Sequence, residues 1–263
     1  MSRSALKNIA RLLKEDNRSV EQCFLDDLKR SIELTDKKNS RMPSKTYKPS
    51  GMNCIRQSYY QIKGYEVDNS DSSSTLVGIC ESGTDRHERI QKAVASMKDN
   101  NIDCEYVDVA SYVQSRNLDD IEIVSQQGME TKLYHKKYNI SFLCDGIIKY
   151  KGKYYILEIK TENSYKFMNR KEVDPSHYKQ ATAYSLAFGI DNVIFLYENR
   201  DICDKKAYMY TVTDDMRSKL VEYIETCDSY IQQDKVPPKP VDVSKKACNY
   251  CSYKKYCEVD NDN

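Results

Sequence analysis

The chain has 263 residues, enough for one sizeable α/β domain with appendages and too many for a small disulfide-stapled scaffold. Lys plus Arg number 41 against 40 for Asp plus Glu, so a net charge of +1 gives no global case for a polyanionic partner, and any nucleic-acid site has to be local. No run of eighteen apolar residues occurs, and Lys7, Arg11 and Lys14 interrupt the N-terminus where a signal core would stand. A soluble, cytoplasmic protein in a reducing compartment is therefore expected, with no membrane partner.

In chain order, residues 1–45 are expected to form a helical N-terminal extension. Leu6, Ile9, Leu12 and Leu13 make one stripe there, and Cys23, Phe24, Leu28 and Ile32 another. Ser40 to Gly51, with Pro43 and Pro49, breaks that pattern and is read as a boundary or linker. A short helix follows through Arg56, Tyr59 and Tyr60, and the acidic, Ser-rich Asp68 to Ser74 is a loop. Leu76, Ile79, Gly83, Ile90, Val94 and Met97 then recur at helical spacing, and His87 takes the remaining place on the same inward stripe. Glu88 sits on the neighbouring face.

From about Glu122 to Lys160 the period changes to that of strands. The apolar run Ile140 to Ile148, a turn at Tyr150-Lys151-Gly152-Lys153 and a second run from Tyr154 to Ile159 read as a β-hairpin. Asp174-Pro175 supplies an N-cap and a first helical residue, and Gly189 ends that helix. Val193 to Tyr197 and Ala207 to Val212 are strands, and residues 214–233 form a last long helix before Pro237-Pro238.

The hairpin carries Asp145-x12-Glu158-x-Lys160. Glu158 and Lys160 are two apart and share a strand face, and Asp145 can lie beside them across the ladder. Two carboxylates close together among Phe142, Leu143, Ile147, Ile156 and Leu157 repel strongly unless a divalent cation neutralises them. Oxygen ligands suit Mg²⁺ or Mn²⁺, and Lys160 could then orient a water or neutralise developing charge. On these residues alone, a surface salt bridge with Lys160 is an equal reading.

Ten cysteines in a reducing compartment point to metal where they cluster and to burial where they are scattered, as at Cys80, Cys104 and Cys227. Cys248-x2-Cys251-x5-Cys257 clusters. A closed site needs a fourth thiolate from elsewhere, and four thiolates accept either Zn²⁺ or a 4Fe-4S cluster. Around it, Lys235, Lys239, Lys245, Lys246, Lys254 and Lys255 stand against Asp242, which fits either a local nucleic-acid patch or a solvated face.

The order Gly83-x3-His87, Asp145-Gly146, Glu158-Ile159-Lys160 and Gln180-x3-Tyr184 resembles the RecB-like branch of the PD-(D/E)XK nucleases. With one early and three late cysteines it looks like the CRISPR-associated Cas-four and AddB-type nucleases, over residues 46 to 257. The resemblance implies a restriction-endonuclease-like α/β core, a central mixed sheet flanked by helices, in residues 46–263. It implies that His87, Asp145, Glu158 and the Ile159 carbonyl bind the metal, with Glu88 a further candidate for a second position. Gln180 and Tyr184, one helical turn apart, become a DNA-contacting or site-ordering pair; without the resemblance, Tyr184 is a core residue and Gln180 a solvated one. Cys54 is picked out as the fourth thiolate, so that residues 236–263 and Cys54 form a structural 4Fe-4S cap, with Zn²⁺ as the alternative. Relative to the simplest members, residues 1–40 and about Ile102 to Glu122 are additions that could bind a protein partner or shape a DNA channel. The expected activity is metal-dependent exonuclease action on single-stranded DNA or DNA ends, in recombination, repair or CRISPR adaptation. The alternative is a non-catalytic DNA- or protein-binding subunit.

Overall fold

At the centre of the fold is the hairpin of β5 (Gly146–Tyr150) and β6 (Lys153–Glu162), paired from Tyr150↔Lys153 to Gly146↔Leu157. Lys151 and Gly152 both take positive φ, 48° and 79°, the two-residue turn whose twist matches that of the strands it joins. This hairpin is the middle of a five-stranded sheet of order β1-β5-β6-β7-β8, completed by β1 (Cys104–Val107), β7 (Asn192–Asn199) and β8 (Lys205–Thr211). Of its pairings only β6 with β7 is parallel, and a parallel pair needs a crossover. The crossover is the helix Tyr178–Phe188, entered through a 3-10 turn at Pro175–His177 that Asp174 caps by accepting from the Ser176 N–H, and closed by Gly189 at φ 65°. Because helices cover both faces, β6 is apolar on both: Ile156 joins the main core, while Leu157 and Ile159 join a second core with Ile90, Val94 and Met97. The fold is thus a mixed α/β one, a central mixed sheet flanked by helices, as expected.

The computed structural model describes residues 19–39, 44–67, 73–241, 243, 245–249 and 251–260. Leu6, Ile9, Leu12, Leu13, Pro43, Asp242 and most of the Asp68 to Ser74 loop lie outside them, as do the side chains of Lys245 and Lys246. Contacts divide the chain into two units. One takes residues up to 42 together with 69–82; the other takes 43–68 and everything from 83 on. The first holds the helix Val20–Asn39, whose Phe24 and Leu28 are exposed. Among the described residues no helix is long and apolar enough to cross a membrane.

Several expectations are corrected. The apolar run Ile140 to Ile148 is two strands, not one: β4 (Ile140–Cys144) belongs to a separate three-stranded sheet with β2 (Ile121–Gln127) and β3 (Glu130–His135), and the chain changes sheets at Asp145. Both halves send apolar residues into the cores, Ile140, Phe142 and Cys144 from one and Ile147 and Ile148 from the other, so hydrophobicity carries no mark of the switch. The presumed addition near Ile102 to Glu122 is integral. It supplies the edge strand β1 and the helix Val109–Ser115, whose Tyr112 and Val113 are in the main core. Within the presumed linker, Tyr47 is buried, bridges to Ile140 and donates to Asp228 at 2.7 Å. The helix Ser74–Ala95 buries only the later part of its stripe; Leu76 and Ile79 are exposed. Cys80 is exposed, whereas Cys104 and Cys227 are buried.

The C-terminal tail is fastened to the helix Ile55–Lys63. Arg56, buried, donates to the Pro237 carbonyl at 2.6 Å and the Cys257 carbonyl at 3.3 Å, and the Tyr60 hydroxyl donates to Asp260 at 2.6 Å. Tyr60, Tyr65 and Tyr256 pack ring against ring, with centroids 5.1 and 4.8 Å apart along the row.

Candidate active site

Asp145 sits where β4 ends and β5 begins, so it belongs to the rims of both sheets. Its Oδ1 meets the His87 Nδ1 at 2.9 Å, and its Oδ2 accepts from the Ile159 N–H at 2.7 Å. Its carbonyl accepts from Gln91 Nε2 and from the Tyr106 hydroxyl, both at 2.7 Å. Gly146 is needed beside it. A Cβ there would lie 2.6 Å from the Tyr106 ring, so any side chain would push that ring off the aspartate. Gln91, one helical turn after His87 on the same buried face, had a signal the sequence reading missed: a polar residue between Ile90 and Val94.

One step beyond the last β5–β6 pair, Gly146↔Leu157, the ladder brings Asp145 opposite Glu158. Glu158 is buried and its Oε1 accepts from Lys160 Nζ at 2.6 Å and from Gln180 Nε2 at 2.7 Å. Its Oε2, also buried, has no hydrogen-bond partner among the described residues. Burial and the Asp145 charge push the Glu158 carboxyl up to about 7, against the pull of Lys160. Burial also opposes a charge on His87, but the hydrogen bond and charge of Asp145, with Glu158 and Glu130 behind it, outweigh that and raise its pKa.

Gln180 and Tyr184 line one face of the crossover helix. The Gln180 amide donates to Glu158 and to the Tyr184 hydroxyl at 2.8 Å, while its Oε1 accepts from Lys160 at 2.9 Å; Tyr184 in turn donates to the Leu143 carbonyl at 2.8 Å. Both are buried, so the solvated Gln180 of the bland reading is not observed. Lys160, Glu158, Gln180 and Tyr184 form one continuous hydrogen-bonded chain.

The structure brings together Asp145, Glu158, Lys160, His87, Gln180, Tyr184 and the Ile159 backbone. It also adds Glu130, which the sequence reading passed over. His87, Glu130 and Asp145 each offer a ligand atom within 4.8 Å of the others, and Glu158 stands outside that group of three. Glu88 is elsewhere: exposed, paired with Lys92 at 2.5 Å. Three carboxylates face one lysine and one imidazole here, and one buried oxygen is unpartnered. That donor set fits a hard divalent cation.

Cys54 precedes the helix Ile55–Lys63. Burial raises its thiol pKa, with Cys257 and Cys248 adding to the rise, and Cys251 is raised by burial and then by Cys54, Cys257 and Cys248. The four are therefore neighbours. Yet among the described residues no three of their sulfurs lie within 4.8 Å of one another, so they do not form a closed single-ion site.

No protein-family model matches the sequence, and no curated protein does either. Among solved structures, the crystal structure of SSO0001 aligns over 90% of this chain and 97% of that one, with a TM-score of 0.50 at 17% identity. The LHK-Exo complex with dAMP covers 73% of this chain and 90% of its own, at TM-score 0.42 and 11% identity. The alkaline exonuclease LHK-Exo from Laribacter hongkongensis covers the same shares at 0.41 and 12%. The first likeness establishes a shared fold; the other two are too distant to carry more.

Proposed function

We propose that this chain is a divalent-metal-dependent DNA nuclease of the PD-(D/E)XK type, acting as an exonuclease on single-stranded DNA or DNA ends. One observation carries the reading: Glu158, a buried carboxylate with an unpartnered oxygen, is held opposite Asp145 in a site with more negative than positive groups. Folding places like charges together at a cost that Lys160 and His87 offset in part and a bound cation, or a proton, offsets further. The motif order resembling RecB-like nucleases adds the substrate class.

In this reading His87, Asp145, Glu158 and the Ile159 carbonyl hold Mg²⁺ or Mn²⁺. When bound, the cation polarises a phosphodiester and lowers the pKa of a coordinated water. Lys160 presents its ammonium beside Glu158, where it orients the nucleophile or balances charge on the phosphate. Gln180 holds both Lys160 and Glu158, and Tyr184 braces Gln180 against β4.

The cysteines are proposed to carry a structural 4Fe-4S cluster. Four thiolates on one Zn²⁺, each about 2.3 Å from the ion, would stand within about 4.6 Å of one another. The motif resemblance, with one early and three late cysteines, is what favours the cluster over Zn²⁺. A brown preparation supports the cluster; a colourless, zinc-containing one refutes it.

The decisive experiment is digestion of labelled single-stranded DNA with Mn²⁺. The wild type degrades it, and Glu158→Ala slows cleavage by about 10²-fold or more while retaining DNA binding; cleavage near the wild-type rate removes the site assignment. A wild type that binds DNA without cutting it would establish the binding-subunit alternative. End-blocked and circular substrates resist an exonuclease and not an endonuclease.

A further inference from the structure

Asp145 has a carboxylate across from it on both sides. Toward β6 this is Glu158. Toward β3 it is Glu130: the last β3–β4 pair is Thr131↔Cys144, and one further step sets Glu130 opposite Asp145. Like charges directly opposite on a ladder destabilise it. Glu130 is nevertheless held there. It opens β3 just after Gly128-Met129, and the Tyr106 hydroxyl bridges the Met129 carbonyl at 3.1 Å and the Asp145 carbonyl at 2.7 Å, pinning the two strand ends together. Within 4 Å among the described residues, the cationic neighbour of the Glu130 carboxylate is the His87 imidazole, 3.9 Å away. Burial and the Asp145 charge both disfavour the ionised Glu130.

Resting on the divalent-cation reading above, we infer that Glu130 is itself a ligand: with His87 and Asp145 it completes a cation shell that draws on both sheets. Three observations meet here. The ligand atoms of His87, Glu130 and Asp145 already lie within 4.8 Å of one another. The buried, unpartnered Oε2 belongs to Glu158, on the other flank of the same aspartate. The Tyr106 hydroxyl, whose ring a Cβ at position 146 would displace, links the strand end before Glu130 to the Asp145 backbone.

The test is calorimetric titration of Mn²⁺ into the metal-stripped full chain without DNA. Glu130→Gln, which keeps the side chain's size, is expected to weaken Mn²⁺ binding about tenfold or more, at least the loss typical of groups that only support a ligand. Tyr106→Phe, which leaves every ligand in place, weakens it less, and Glu88→Gln leaves it unchanged. Binding to folded Glu130→Gln within about twofold of wild type overturns the inference. Should Glu130→Gln not fold, Tyr106→Phe decides, and unchanged affinity there overturns it. The nuclease reading fails separately: wild type that binds Mn²⁺ but cuts no DNA sinks that reading and leaves Glu130 a ligand. DNA cleavage by wild type alongside undiminished Mn²⁺ binding by Glu130→Gln does the reverse. A wild type that binds no Mn²⁺ removes both.

Discussion

Two buried glutamates on neighbouring strands have opposite environments. Glu198 on β7 is fully buried and receives Arg89 through two contacts at 2.6 and 2.8 Å, Arg86 at 2.9 Å and Lys205 at 3.2 Å. Burial pushes its pKa up, but the hydrogen bonds from Arg89, Arg86 and Lys205 more than reverse that and hold it below the ordinary range. Glu158 on β6 has one lysine and an amide on one oxygen and, among the described residues, no hydrogen-bond partner on the other, and its pKa rises to about 7. A carboxylate saturated with cations is a fastener. Here it ties β7 to the helix Ser74–Ala95 on either side of His87. A carboxylate left short of cations is costly to keep ionised, which is what makes it a candidate ligand.

Four measurements break or sharpen this contrast. The largest effect is on catalysis: Glu158→Ala should lower the rate of DNA cleavage by about 10²–10³-fold or more, whereas a conservative change at Glu198 acts on cleavage only through folding. Next is stability. Glu198→Ala removes the carboxylate shared by three cations and should cost about 3 kcal/mol in denaturant unfolding, the low end for a broken buried pair because Arg89 and Lys205 are half exposed and Arg86 keeps the Arg200 carbonyl. If Glu198→Ala were neutral, the fastener role would be lost. Third, Gly146→Ala drives a methyl into the Tyr106 ring and should destabilise the protein by about 2 kcal/mol, with weakened metal binding.

The smallest effect is in pH dependence. Folding raises the Glu158 pKa, so the folded metal-free protein keeps a proton that the unfolded chain releases. This stabilisation is complete below the ordinary carboxylate range and is lost as pH rises through about 7, by up to about 1.4 kcal/mol per pH unit. His87, also raised, acts in the same direction. Glu198, depressed, acts oppositely: its contribution is present above the ordinary range and lost as pH falls through its folded value. Thermal melts of metal-free protein at pH 5 and 8 should therefore show the wild type losing stability toward pH 8 relative to Glu158→Gln, the comparison that cancels His87 and the oppositely acting His177, with Mn²⁺ restoring it. A difference between wild type and Glu158→Gln that is the same at both pH values would mean Glu158 is not short of charge.

Much of this was legible locally. Lys151-Gly152 announced the turn at the centre of the sheet, Asp174-Pro175 and Gly189 bounded the crossover helix, and the two-residue step from Glu158 to Lys160 placed both on one face. These features depend on φ/ψ preferences and on periods of two and 3.6 residues, which short stretches of sequence encode. Glu130, Tyr106 and Glu198 were not legible. Glu130 is an ordinary acidic residue beside a turn, and Tyr106 falls in what reads as an addition to the fold. Glu198 gains its meaning from arginines more than a hundred residues earlier.

What the amino-acid order determined by itself was the chemistry available and the local shape of each piece: which carboxylates, which histidine, which hairpin, which caps. The tertiary structure alone decided that the apolar run breaks at Asp145 and enters two sheets, bringing Glu130 to one side of that residue and Glu158 to the other. The physical reason is that pairing register between distant strands is set by collective packing of the core, and no spacing along the chain records which strand will lie beside which.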